Sequence, residues 1–155
     1  MRLLFRQRVF SWFDSYDIYG EDGEAVFVVR GKMSWGHRLE ISDCQGRYLG
    51  RVQEEVLTLL PRFAFYVGET YAGQLKKEFS LFSPRFTLDC QGWRVEGDWL
   101  EWDYRVTDSQ GRLVMTASKE LAWTDTYQIQ VERPEDALLC LMIVLAIDAE
   151  KCSRN

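Results

Sequence analysis

Hydrophobic and polar positions along this chain follow two different rules, and the rule changes near residue 134. Before it, large apolar side chains recur two positions apart, the mark of a strand whose alternate residues share one face. The pairs return about every 23 residues, each preceded by a small or aromatic residue. Ser11 precedes Tyr16 and Ile18, Ser34 precedes Leu39 and Ile41, and Thr58 precedes Phe63 and Phe65. Ser80 precedes Phe86 and Leu88 one residue late, Trp99 precedes Tyr104 and Val106, and Ala122 precedes Tyr127 and Ile129. Most copies then reach a glycine turn: Asp22-Gly23, Gln45-Gly46, Val67-Gly68, Gln91-Gly92 and Gln110-Gly111. Glycine supplies the positive φ that tight turns demand. The residues ahead of each small residue also alternate, as in Val26/Val28 and Val95/Gly97. Each repeat therefore reads as strand, connection, strand and turn. Six repeats predict about twelve strands in a meander over residues 3–132, with Pro61 and Pro84 in connections.

After Pro134 the alternation gives way to Ala-Leu-Leu-Cys-Leu-Met-Ile-Val-Leu-Ala-Ile, residues Ala137–Ile147. A helix apolar on every side is buried on every side, in lipid or in protein. Eleven helical residues rise about 16 Å against a bilayer core of about 30 Å. Glu132, Arg133, Glu135 and Asp136 precede the run and Asp148, Glu150 and Lys151 follow it, so a full span would bury charge. A protein-buried helix over residues 134–151 is the prediction. Pro134 suits its first position, and Glu135 and Asp136 suit the positive end of its dipole.

The two rules meet in one object. Large antiparallel sheets curl or close, and cans of about eleven strands enclose a helix. A strand of five or six residues is about as long as the apolar run. The prediction is a mainly β fold: a closed antiparallel barrel of about twelve strands around a central C-terminal hydrophobic α-helix. An open sheet with the helix on one face would expose half of that helix. Leu138, Leu141, Met142, Val144 and Leu145 are the expected central-helix residues, and residues 1–155 form one domain.

Several groups of residues together are similar to one family. They are Gln7-Arg8-Val9-Phe10-Ser11, Leu59-Leu60-Pro61-Arg62-Phe63, Lys76-Lys77-Glu78-Phe79, Trp93-Arg94-Val95-Glu96-Gly97-Asp98, Asp103-Tyr104, Trp123-Thr124-Asp125-Thr126-Tyr127 and Val144-Leu145-Ala146-Ile147-Asp148. Their order and spacing resemble the LURP-one-related family over essentially the whole chain. That resemblance implies a Tubby C-terminal-like, scramblase-like fold, a twelve-stranded barrel around a hydrophobic helix. Through its relatives it implies phosphoinositide binding or membrane tethering, which is analogy at the level of fold. The cysteine-rich segment of scramblase-like proteins is absent from this chain.

Composition narrows function mostly by exclusion. The formal net charge of −5 argues against nucleic acid and against a polybasic membrane-surface protein. Cys44, Cys90, Cys140 and Cys152 form no C-x-x-C pair and no zinc spacing, which points to a reducing compartment. No signal peptide or transmembrane segment is visible, and Cys152-Ser153-Arg154-Asn155 departs from a prenylation box. The expected location is the cytoplasm, with room for peripheral association at a membrane.

Catalytic signals are poor. His37 is the one histidine and reads as a solvated residue in a hairpin connection. No G-x-S-x-G elbow, H-E-x-x-H or P-loop occurs. Asp14, Asp17, Glu21, Asp22 and Glu24, and again Glu96, Asp98, Glu101 and Asp103, lack calcium-loop spacing and read as turn residues and solvated strand faces. In the second set Trp102 and Tyr104 should face opposite to the acids. No catalytic, cofactor-binding or metal-ligating residue is assigned.

Basic residues form three sets: Arg2, Arg6 and Arg8; Arg30, Lys32 and Arg38; and Lys76 with Lys77. The second is the first choice for an anionic lipid head group, because Lys32 and Arg38 flank a glycine-containing connection where donors could converge. Edge protection is the simpler role for such charges. The sequence thus predicts a non-enzymatic binding or regulatory module, recognising phosphoinositide or another anionic lipid. A protein-interaction domain using exposed aromatics is the alternative, and an enzyme ranks last.

Overall fold

The alternating pairs become every second strand of one sheet. The computed structural model describes residues 1–6, 15–34, 36–81, 85–119 and 126–153 (backbone alone for Phe5, Arg6, Tyr16, Met33, Ser34, Cys152 and Ser153). The strands are β1 (Arg2–Arg6), β2 (Ser15–Tyr19), β3 (Ala25–Ser34), β4 (Gly36–Asp43), β5 (Tyr48–Glu54) and β6 (Arg62–Val67). They continue as β7 (Thr70–Glu78), β8 (Arg85–Asp89), β9 (Arg94–Asp98), β10 (Asp103–Thr107), β11 (Leu113–Lys119) and β12 (Thr126–Val131). A single 3-10 turn at Pro134–Asp136 leads into α1, Ala137–Ser153. The helix therefore starts three residues later than the proline signal suggests, because Pro134 opens the 3-10 turn instead. Ser11, Arg8, Asp14, Pro84 and Ala122 lie outside the described residues.

All twelve strands belong to one antiparallel sheet, in the order β8 to β1 and then β12 to β9. The β1–β12 ladder closes the meander, pairing Leu3 with Ile129 and Phe5 with Tyr127. One seam remains, between β8 and β9, which are joined by the turn that Trp93 N–H closes on the Cys90 carbonyl at 2.9 Å. The barrel is nearly closed, and Phe86 meets Trp99 edge-on across the seam at 4.6 Å.

The repeat also predicts where the wall bends. In β2, β4, β6 and β10 the register shifts directly after the second apolar residue of the pair, at Ile18/Tyr19, Ile41/Ser42, Phe65/Tyr66 and Val106/Thr107. A bulge at one level in successive hairpins adds twist and coils the sheet toward closure. Ile18, Leu39, Ile41, Phe65, Val106 and Ile129 are completely buried. The odd strands hold one correction: β3 turns Phe27 and Val29 inward, one step out of phase with Val26/Val28.

The five turn glycines, Gly23, Gly46, Gly68, Gly92 and Gly111, have φ of 81, 84, 60, 74 and 78°. Two turns are near copies. Asp43 Oδ1 accepts from the N–H groups of Gln45 and Arg47, and Asp108 Oδ1 from those of Gln110 and Arg112, all at 2.9 Å.

Every side chain from Cys140 to Glu150 is buried, including the polar Asp148 and Glu150. Leu141, Met142, Val144 and Leu145 are fully buried, and Leu138 is partly buried against the core. Met142 approaches β5 at Gly50, where a Cβ would collide with the Tyr66 carbonyl oxygen and lie 2.6 Å from the Met142 methyl. Glycine there lets the helix close on the wall. No helix of the described residues is long and apolar enough to cross a membrane.

Candidate functional site

Because neighbouring strands run antiparallel, the barrel has two unlike ends. One end gathers the five glycine turns and the entry to α1. At the other, β5 connects to β6 through residues 55–61, β7 leaves through residues 79–81, and β9 connects to β10 through residues 99–102. The C-terminal part of α1 reaches this second end, where Lys77 Nζ of β7 meets Glu150 Oε1 at 2.9 Å.

Lys77 parts from Lys76, with which the sequence grouped it as a basic set. Leu75 is buried, so the period of two turns Lys77 inward as well, and it meets a carboxylate that is 4% exposed. Lys76 takes the outer face. Asp148 lies two residues before Glu150, with Oδ1 buried and without a hydrogen-bond partner among the described residues. Burial pushes its carboxyl up to about 6, with Lys151 pulling weakly the other way. The buried Tyr104 hydroxyl also lacks a partner there. Its pKa is raised well above the ordinary phenol value by burial and by the charge of Asp148.

The residues singled out from sequence distribute as follows. Lys32 and Arg38 are direct register partners across β3 and β4, and Arg30 faces Glu40. Val29 and Leu39 point into the core, so these charges share the outer face. Lys32 Nζ lies 3.0 Å from Glu40 Oε2 and Arg38 Nη2 lies 3.2 Å from Glu40 Oε1. The set converges, but on a carboxylate that already occupies donors an anion would need.

His37 is not in a connection. It is the second residue of β4, with Nδ1 2.9 Å from Glu54 Oε2 of β5. The second acidic set behaves as alternation predicts, with Trp102 and Tyr104 buried, Glu96 paired to Arg105 at 3.3 Å and Glu101 to Lys119 at 3.5 Å. Glu21, Asp22 and Glu24 are exposed at the glycine-turn end.

The sequence reading missed the most exposed apolar groups. Leu57 is 94% exposed, Leu59 100%, Phe79 78% and Leu81 80%, and every other exposed large apolar residue described is at most 52%. All four sit at the end away from the glycine turns. Their connections are held side by side: Glu55 N–H donates to the Arg62 carbonyl at 2.9 Å, and Lys77 N–H to the Pro61 carbonyl at 3.0 Å. Together the four expose on the order of 500 Å² of mostly apolar surface. Non-periodic connections carry no strand or helix signal, so only the run Leu57-Thr58-Leu59-Leu60 hinted at them.

A family model described as LURP-one-related matches residues 1–148. The chain belongs to the LURP-one-related family. Its relatives include the Bacillus subtilis protein YxjI, itself described as uncharacterized, 28% identical over 149 residues that cover 96% of this chain and 92% of that one. The X-ray structure of an Arabidopsis thaliana protein superimposes with a TM-score of 0.66 at 15% identity, covering 96% of this chain and 90% of the other. At that identity the likeness concerns the fold alone.

Proposed function

We propose that this LURP-one-related protein is a non-enzymatic binding module that docks on an anionic lipid surface. The observation that carries the reading is the difference between its two ends. Glu21, Asp22, Glu24, Glu69, Glu132 and Glu135 are exposed at the glycine-turn end. The four most exposed apolar side chains lie at the opposite end. Exposed acids stand at that end as well, Glu55, Glu78, Asp98, Glu101 and Asp103, so the ends differ in apolar exposure rather than in the sign of their charge. Preference for anionic lipid falls to the cations Arg62 and Lys76 there. The helix fills the interior with side chains that are apolar apart from Asp148 and Glu150, which leaves binding to the outside.

The test is co-sedimentation of the purified chain with vesicles. Binding should need anionic lipid and should weaken as salt rises. Equal recovery with neutral and anionic vesicles at low salt, or none with either, would refute the reading.

A further inference from the structure

The docking end carries a second feature that the fold does not require. Arg62 opens β6 directly after the connection 55–61, and Lys76 lies in β7 three residues before Phe79. The two are direct register partners. Phe63 and Leu75 beside them are buried, so both cations share the outer face. Like charges placed opposite each other destabilise a sheet. Neither forms a salt bridge among the described residues, whereas Lys32 and Arg38 share Glu40, Arg51 has Glu69 and Lys77 has Glu150. Among the described residues this is the one cross-strand pair of cations without a salt bridge, and it stands at the foot of the two apolar connections with the exposed acids Glu55 and Glu78 beside it.

The spacing suits a bilayer surface. Three extended residues span about 10 Å, so Lys76 lies about that far behind Phe79 along the barrel. Interfacial apolar groups bury about 5–10 Å into the head-group and acyl boundary. With the tips at that depth, the two cations stand level with the lipid phosphates. We infer that the connections 55–61 and 79–81 insert Leu57, Leu59, Phe79 and Leu81 into an anionic bilayer while Arg62 and Lys76 bind the phosphates of its lipids. This rests on the lipid-docking reading and adds the site and the orientation: the barrel stands on end, with its glycine turns away from the membrane. The charge pair gives the apolar tips their preference for anionic lipid. Lys32 and Arg38, on the β3–β4 hairpin of the same end, are already held by Glu40 and, with Arg30, take no part.

The test uses the full chain and vesicles of phosphatidylcholine with about a third phosphatidylserine. At low salt, L57S/L59S and F79S/L81S should each weaken partition at least about tenfold. R62Q/K76Q should weaken it about thirtyfold, since each cation near such a surface contributes about fivefold. R47Q/R112Q, which removes two exposed cations from the opposite end, should change it less than about twofold. None of these substitutions removes a core side chain, so thermal melts should not fall below the wild type's, and R62Q/K76Q, which relieves the repulsion, should melt slightly higher. If the wild type binds and these tip and cation variants bind equally well, the insertion site is wrong while lipid docking stands. Loss of binding in K32Q/R38Q in their place would move the phosphate contact to that set and overturn the inference. A wild type that ignores the vesicles overturns both proposals. A dimer that L57S/L59S dissociates, without vesicle binding, would assign the tips to a second copy of the chain.

Discussion

Replacing Asp148 by asparagine should stabilise this protein, and only above mildly acidic pH. Asp148 sits inside the barrel with one carboxylate oxygen unpartnered among the described residues, and burial raises its pKa to about 6. An unfolded aspartate titrates near 3.9. Between those values the folded protein binds the proton more tightly than the unfolded chain, so stability falls as pH rises from about 4 to about 6 and then levels off. A shift of about two units corresponds to about 3 kcal/mol of stability present in acid and lost at neutral pH. Asparagine keeps the shape and never ionises. Its advantage over the wild type should be near zero at about pH 4 and reach about 3 kcal/mol by about pH 7. In a domain of this size that is a rise in Tm of roughly 6–12 °C. The assay is urea denaturation of both proteins across that range, taking the difference at each pH. Asp108 and Glu135, whose pKa values are lowered by hydrogen bonds, titrate alike in both chains and cancel. A difference that does not change with pH, or a variant less stable at neutral pH, would refute the account of a buried ionised carboxylate.

Other perturbations test the same interior from different sides. Lys77→Met removes the cation that meets Glu150 inside the barrel and should lower stability by about 3 kcal/mol, with part of the loss restored in K77M/E150M; urea midpoints measure both. Gly50→Val drives side-chain atoms into the Tyr66 carbonyl and Met142, so a loss of about 1–3 kcal/mol or more is expected in the same assay. Leu141→Asp and Val144→Asp each place a charge among fully buried neighbours and should abolish soluble folding, read by far-UV circular dichroism. In a Cys152→Ser background a thiol reagent should label only exposed Cys44 in the native protein, because Cys90 and Cys140 are buried with pKa values pushed up to about 11 and 12.

The wall and its core helix were legible because burial imposes a period. Tyr104 and Val106, or Phe63 and Phe65, can face the core only at spacing two, and Ala137–Ile147 can be apolar all round only when enclosed. The same rule was under-used at Lys77, where the inward parity of Leu75 fixes the direction of a charged neighbour. It was misapplied at Val26/Val28, because five consecutive apolar residues in β3, Ala25–Val29, fit either phase. The β3–β4 hairpin pairs Lys32 with Arg38, yet Glu40, two residues from Arg38, joins them on the outer face. Period two makes that contact readable in principle. The exposed connections obey no such rule, since nothing in the core constrains Leu57 or Phe79.

That lack of constraint is what gives those connections meaning. A hairpin closes with about two to five residues, as the glycine turns at the far end illustrate. The β5–β6 connection runs over residues 55–61, and it keeps Leu57 and Leu59 in water. Neither its length nor its leucines are needed to close the barrel, which draws its core from the strand pairs and α1. Arg62 and Lys76 add repulsion at the base of the same connections. A fold optimised for stability alone would shorten the connection, replace the leucines and separate the cations. Three departures from that optimum at one place are better explained by a surface the protein meets than by three unrelated accidents.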